Sequence, residues 1–94
     1  MRIVVRQEAE DDLDGIFRWI ANDNPRAAVD MLTRIRDRIN LLELNALARM
    51  GRPGFVTGTF ELVEYPYIIV YRILPEERQI EILSIMHGAR ERKR

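Results

Sequence analysis

The side chains with catalytic potential in this chain are few, and the most reactive of them lies near the C-terminal end. The 94-residue sequence has a single histidine, His87, and no cysteine, so a thiolate nucleophile is excluded. Its only serine, Ser84, falls inside a strand-like run rather than on an exposed turn. A Ser-His-Asp arrangement is therefore not expected. The sequence also lacks a glycine-rich phosphate loop.

Cleavage of RNA without a metal ion is the chemistry that the remaining groups could still perform. Such cleavage needs a base for the 2′-hydroxyl, an acid for the leaving oxygen and cations around the phosphate. His87, Arg72 and Arg90 are the candidate catalytic residues for this reaction. A histidine at the end of a strand is more often a structural hydrogen-bonding residue, so both interpretations of His87 stay open.

The carboxylates form no pattern typical of a metal site, and we expect neither a metal ion nor another cofactor. Five acids instead form a block between Glu8 and Asp14, within the first two turns of a predicted helix. Carboxylates at this position interact favourably with the positive end of the helix dipole. We therefore interpret the acidic block as structural.

Length and composition predict a single domain over residues 1–94. No apolar run approaches the roughly 18 residues of a membrane span, and the N-terminus lacks a secretory signal pattern. We therefore expect a soluble, cytoplasmic protein that does not contact a membrane. The formal net charge is zero, but residues 90–94 form a basic tail that we expect to be mobile.

Hydrophobic periodicity predicts an α+β domain in the order β-α-α-β-β-β. The predicted elements are a strand at Met1–Arg6, helices at Gln7–Asn22 and Pro25–Glu43, and strands at Thr59–Glu64, Tyr67–Ile73 and Gln79–Met86. Asn24 is a good N-cap, and Pro25 suits the first position of the second helix. The short link predicts an antiparallel helical hairpin.

The last three runs are predicted to form a three-stranded antiparallel sheet, because Tyr65-Pro66 and the residues 75–78 allow only tight turns. The middle run is almost continuously apolar, so it should be the most buried strand. Residues 45–58 lose periodicity and are predicted to form a loop.

Two apolar side chains lie away from the core-facing stripes of the helices. Trp19 lies about 100° from the centre of the first helix's apolar face, and Val29 is similarly displaced on the second helix. Displaced apolar residues on a small domain suggest a partner surface, and tryptophan is a favoured interface anchor. The alternative is that Trp19 packs at the edge of the hairpin.

The sequence resembles the ParE toxins of the RelE/ParE superfamily over nearly its whole length. The matching pieces are Ala9–Leu13 with Ile16, Ile20–Ala28, Gly51–Gly54, Gly58-Thr59 with Glu61–Val63, Tyr67–Arg72, Ile82-Leu83 and His87–Arg90. Each piece is weak alone, whereas their order and spacing within one short chain are specific.

The resemblance implies a toxin that a cognate ParD-like antitoxin neutralises, folding as it binds. ParE toxins are known for poisoning DNA gyrase, whereas the RelE branch cleaves mRNA on the ribosome. On this basis we assign Trp19, Val29 and Arg34 to antitoxin binding. Arg52, with Arg90 and Arg92 of the tail, is assigned to target binding. Contact with DNA is expected only through the antitoxin.

Three departures from the RelE nucleases favour the ParE branch. Ile68 stands where those nucleases carry an arginine, and the strand around Glu61 and Glu64 replaces their lysines. Their C-terminal tyrosine is missing as well. Negative charge beside an RNA phosphate is unfavourable.

The chain also departs from many ParE toxins, which carry arginine where it has Phe55 and Phe60. Three hypotheses result. The first is a gyrase inhibitor that acts by protein contact and is therefore more a binding protein than an enzyme. The second is a ribosome-dependent, metal-independent mRNA endonuclease. The third is a non-toxic module that binds its antitoxin and co-represses their operon.

Overall fold

Two helices pack on one face of a mixed β-sheet in the computed structural model, which describes residues 1–44, 48 and 50–88. In chain order the elements are β1 (Arg2–Val5), α1 (Gln7–Ala21), α2 (Pro25–Leu41), β2 (Arg52–Pro53), β3 (Phe60–Glu64), β4 (Tyr67–Leu74) and β5 (Gln79–His87). A 3-10 turn at Pro75–Glu77 links β4 to β5. The predicted α+β class and the order of the main elements are confirmed.

Within the described residues the sheet has five strands, in the order β1-β5-β4-β3-β2. Neighbouring strands from β2 to β5 are antiparallel, whereas β1 pairs in parallel with β5. The chain passes through the helical hairpin before it returns to the sheet, which a parallel pair requires. The predicted three-stranded antiparallel sheet is therefore present but is extended on both sides, by β1 and by the two-residue β2.

Local sequence signals account for the helix boundaries. The Asn24 side chain accepts a hydrogen bond from the Ala27 backbone N–H at 3.1 Å, and Pro25 occupies the first turn, as predicted. Glu8 and Glu10 lie in the first turn of α1. The second helix ends at Leu41, two residues before the predicted end.

The core lies between the helices and the sheet. It includes Ala9, Leu13 and Ile16 from α1, Met31, Ile35 and Ile39 from α2, and Leu62, Tyr67, Ile69, Tyr71, Ile80, Ile82 and Ile85 from the strands. Alternate residues of each strand thus face the helices. β4 is buried continuously from Tyr67 to Tyr71, which confirms its predicted position as the most buried strand.

The two helices pack on different strands, α1 chiefly on β5 and α2 on β3. We call the opposite side of the sheet the outer face. Among the described residues, no helix has both the length and the apolar character needed to cross a membrane.

Candidate functional site

His87 is the last residue of β5, where its ring contacts an aromatic neighbour. It lies opposite Tyr67 in the β4–β5 register, and the two rings meet edge to face with centroids 5.5 Å apart. This geometry is one of the favoured arrangements of aromatic pairs. The half-buried imidazole at the strand end agrees with the position expected from the sequence.

Arg72 lies on the other side of the sheet from His87. Tyr67 and its partner His87 face the helices, whereas Arg72 follows Tyr67 by an odd number of residues and faces outward. On β4, Tyr67, which lies opposite His87, is also about 17 Å from Arg72 along the strand. The structure therefore does not bring His87 and Arg72 to one phosphate. Arg90, the third candidate catalytic residue, lies outside the described residues.

A buried carboxylate already accompanies Arg72 on the outer face. The Arg72 Nε atom is 2.7 Å from Glu81 Oε1, and the Arg6 Nη1 atom is 3.5 Å from Glu81 Oε2. Glu81 is only 9% exposed. A phosphate bound here would have to compete with this fixed anion for both guanidinium groups.

Glu61 on β3 anchors the segment that follows β2. Its carboxylate, only 3% exposed, accepts a hydrogen bond from the Phe55 backbone N–H at 2.8 Å. It also lies 3.4 Å from the guanidinium of Arg52. The Tyr71 hydroxyl accepts a further bond from the Gly51 backbone N–H at 3.0 Å. These contacts hold Arg52, a predicted target-binding residue, at the edge of the sheet with a mostly exposed side chain.

A cleft of about 260 Å³ lies between α1 and the ends of β4 and β5. Its lining residues are Asp11, Asp12, Gly15, Ile16, Trp19, Tyr67, Ile85 and His87. Trp19 is 65% exposed, and Asp12 accepts a hydrogen bond from the Ile85 backbone N–H at 2.9 Å. The cleft thus unites Trp19 and His87, which the sequence analysis assigned to different sites.

Arg34 lies over the same end of the sheet as this cleft. Its Nε atom is 3.9 Å from Glu64 Oε2, and both Glu64 and His87 lie opposite Tyr67 on its two neighbouring strands. Strands are spaced by about 4.8 Å, so Glu64 and His87 are separated by about 10 Å. One extended partner could therefore reach both Arg34 and Trp19.

Val29, the third residue assigned to antitoxin binding, lies near the start of α2 and is 54% exposed. It lines a shallow depression with Pro25, Arg26 and Asp30. This depression is separate from the Trp19 cleft, so the three predicted residues occupy two parts of the helical layer.

Exposed apolar side chains gather where β2 and β3 form the sheet edge. Phe55 is 58% exposed, Val63 37% and Tyr65 84%. A depression beside them is lined by Arg52, Val63, Tyr65, Pro66, Ile68, His87 and Gly88. Aromatic and arginine side chains together are typical of protein interfaces. We call Arg52, Val63 and Tyr65, which all line this depression, the edge patch.

Arg52 of this patch was predicted from the sequence, whereas Tyr65 was predicted only as a turn residue. Asp12 and Gly15 of the cleft were not predicted. The spacing of Asp11, Gly15 and Trp19 by four residues was the available signal, because such residues share one helix face. Among the described residues, no group of three or more metal-ligating side chains is close enough to hold an ion.

Comparison with known families identifies the chain. Residues 3–92 match the model of the ParE toxin of the type II toxin–antitoxin system parDE. The chain belongs to the ParE toxin family. The resemblance inferred from the sequence motifs is thereby confirmed, and the protein is the toxin component of a type II toxin–antitoxin system.

Relatives of this ParE-family toxin agree with the assignment. The candidate toxin Y4kP of Sinorhizobium fredii is 41% identical over 78 residues, which cover 81% of this chain and 76% of Y4kP. A structure of the chromosomal ParDE system from P. aeruginosa matches with a TM-score of 0.78 at 26% identity, over 93% of this chain and 95% of the other.

The RelE branch shares the fold at a greater distance. The toxin–antitoxin complex RelBE2 from Mycobacterium tuberculosis matches this ParE-family toxin with a TM-score of 0.66 at 24% identity, over 92% of this chain and 95% of the other. At this identity the likeness concerns the fold alone. Both solved structures come from toxin–antitoxin systems.

Proposed function

We propose that this toxin inhibits DNA gyrase through direct protein contact and that a ParD-like antitoxin neutralises it. The observation that carries the proposal is the separation of the candidate catalytic groups in a ParE-family chain. His87 and Arg72 face opposite sides of the sheet. Tyr67, the β4 residue opposite His87, is about 17 Å from Arg72 along the strand. Because His87 and Arg72 form no joint site among the described residues, we infer that the toxin acts by binding its target.

The charges of the described residues also argue against cleavage of RNA. A nuclease needs cations that are available to a phosphate in the transition state. Here Arg72 and Arg6 share the buried carboxylate of Glu81, and Arg52 lies beside that of Glu61. Buried carboxylates at these two places would repel an RNA phosphate.

The edge patch is the surface that we propose for target binding. It joins the guanidinium of Arg52 to the exposed aromatic ring of Tyr65, and such residues commonly dominate interface energetics. Phe60, the other departure from the family pattern, stacks on Tyr71 with centroids 5.5 Å apart. Phe55 is therefore the more exposed of the two phenylalanines and the more available to a target.

The helical layer is the surface that we propose for the antitoxin. Trp19 and Arg34 flank one end of the sheet, while Val29 lies near the start of α2. This layer lies on the side of the sheet opposite the outer face. A segment of antitoxin that folds on binding could cover both parts of the layer. Contact of the complex with DNA is then assigned to the antitoxin.

The test is a supercoiling reaction with purified gyrase and relaxed plasmid. We expect the toxin to block supercoiling and to trap broken DNA, and we expect the purified antitoxin to restore the activity. A parallel translation reaction should leave the mRNA intact. Unaffected gyrase at toxin excess, with cleaved mRNA, would instead establish the endonuclease. No effect in either reaction and no growth inhibition would favour the co-repressor module.

A further inference from the structure

The Trp19 cleft combines aromatic walls with negative charge. Trp19, Tyr67 and His87 supply three rings, and Asp11 and Asp12 supply two carboxylates. A guanidinium group is planar, stacks on aromatic faces and pairs with carboxylates, so it matches both kinds of wall. At about 260 Å³ the cleft is smaller than the usual pocket for a drug-sized ligand, which suits a single long side chain.

Gly15 supports the interpretation of the cleft as a binding site. It lies in the middle of α1, where glycine destabilises a helix by about 0.5–1 kcal/mol relative to alanine. A Cβ atom at this position would meet no other atom within 4 Å, so close packing does not explain the glycine. Local rules of helix stability are most often broken at functional sites. A side chain at position 15 would project from the lining of the cleft.

The chain carries a matching ligand a short distance away. His87 lines the cleft, and Gly88 is fixed beside it because its backbone N–H bonds to the Pro66 carbonyl at 2.9 Å. Residues 89–94 then include three arginines and a lysine. An extended chain of this length spans about 20 Å, and a short tether gives a millimolar effective concentration.

We propose that the cleft is a binding site for an arginine side chain and that its occupant is the chain's own C-terminal segment, residues 89–94. Docking holds the tail, which includes the assigned target-binding residues Arg90 and Arg92, against the first helix until a partner competes for it. The proposal concerns the isolated chain, so it stands or fails independently of the action on gyrase.

Trp19 makes the proposal measurable, because it is the only tryptophan in the sequence. Acrylamide, a neutral molecule, quenches the fluorescence of Trp19. The quenching constant therefore reports how well the cleft is covered. Aromatic and carboxylate contacts at a partly exposed site should favour the docked tail about fivefold. Replacing Arg90, Arg92, Lys93 and Arg94 by Gln in the full chain should therefore raise the quenching constant about twofold. Added salt should have a similar effect on the unaltered chain.

Two aspartates provide a matched comparison. Asp11 lines the cleft, whereas Asp14 lies on the same helix, is exposed and does not line it. Asp11→Asn should raise the quenching constant, and Asp14→Asn should leave it unchanged. Asp12 is unsuitable for this purpose, because it also bonds to the backbone of β5. Equal effects of the two variants would overturn the proposal, since they would show only general attraction between the tail and the helix.

A free ligand tests whether the cleft binds arginine independently of whether the tail occupies it. In the tail-neutral variant, N-acetyl-arginine amide should lower the quenching again, while its uncharged analogue N-acetyl-citrulline amide should not. Gly15→Leu, which the open space tolerates, should abolish the response to the arginine compound. If the tail-neutral variant is quenched like the original chain, the tail is not the occupant. If neither compound has an effect, the cleft is not an arginine site.

Discussion

Removal of the buried Glu61 carboxylate should loosen the segment that presents Arg52 and Phe55. In Glu61→Ala, the Phe55 backbone N–H loses a charged acceptor at 2.8 Å, and such a bond contributes about 1.5–3 kcal/mol. The contact with Arg52 is longer, 3.4 Å, and the Arg52 side chain is 57% exposed although Glu61 is buried. Because the contact is long and one partner is largely exposed, we expect the ion pair to contribute only about 0–1 kcal/mol.

The expected losses are therefore about 2–3 kcal/mol for Glu61→Ala and under about 1 kcal/mol for Arg52→Ala. For a domain of this size each kcal/mol lowers Tm by about 4–8 °C. Glu61→Ala should thus lower Tm by roughly 10–20 °C, and Arg52→Ala by much less. Calorimetry of the two purified variants measures both values. An equal or greater loss in Arg52→Ala would show instead that the ion pair with Arg52 holds the segment in place.

Three further substitutions test other contacts. Tyr71→Phe should cost about 1–3 kcal/mol in urea unfolding, because the buried hydroxyl accepts from the Gly51 N–H and donates to the Ala48 carbonyl, each at 3.0 Å. Trp19→Ala should weaken antitoxin binding by about 1–3 kcal/mol in titration calorimetry, and unchanged affinity would remove Trp19 from that interface. Tyr65→Ala should reduce gyrase inhibition at least about tenfold while antitoxin binding stays intact, and undiminished inhibition would place the target contact elsewhere.

Much of the fold was predictable because its elements carry local signals. The helical period placed both amphipathic faces, and Asn24 with Pro25 marked the start of α2. The strand β2 and the pairing of β1 had no such signal. β2 exists only because Arg52 and Pro53 pair with Glu61 and Phe60, and the parallel pairing of β1 with β5 joins opposite ends of the chain. Contacts between distant residues are not encoded in periodicity.

The candidate site was likewise predictable only where a local signal in the sequence existed. Helical geometry identified Trp19 as displaced from the core, and the structure shows it to be exposed. The separation of His87 and Arg72 needed the strand register, which fixes both the face and the distance. No signal in the sequence indicated the burial of Glu61, because the segment around Phe55 makes it a buried hydrogen-bond acceptor.

We propose that the toxin acts on gyrase by contact rather than by catalysis. The most direct test compares the unaltered chain with a His87→Ala, Arg72→Gln double variant in a DNA-cleavage assay with purified gyrase. Both substituted side chains are partly exposed, so the fold should persist, which circular dichroism checks. We predict that both proteins trap broken DNA on gyrase to the same extent. Absence of trapped DNA with the unaltered chain, or its loss in a folded double variant that still binds gyrase, would contradict this proposal.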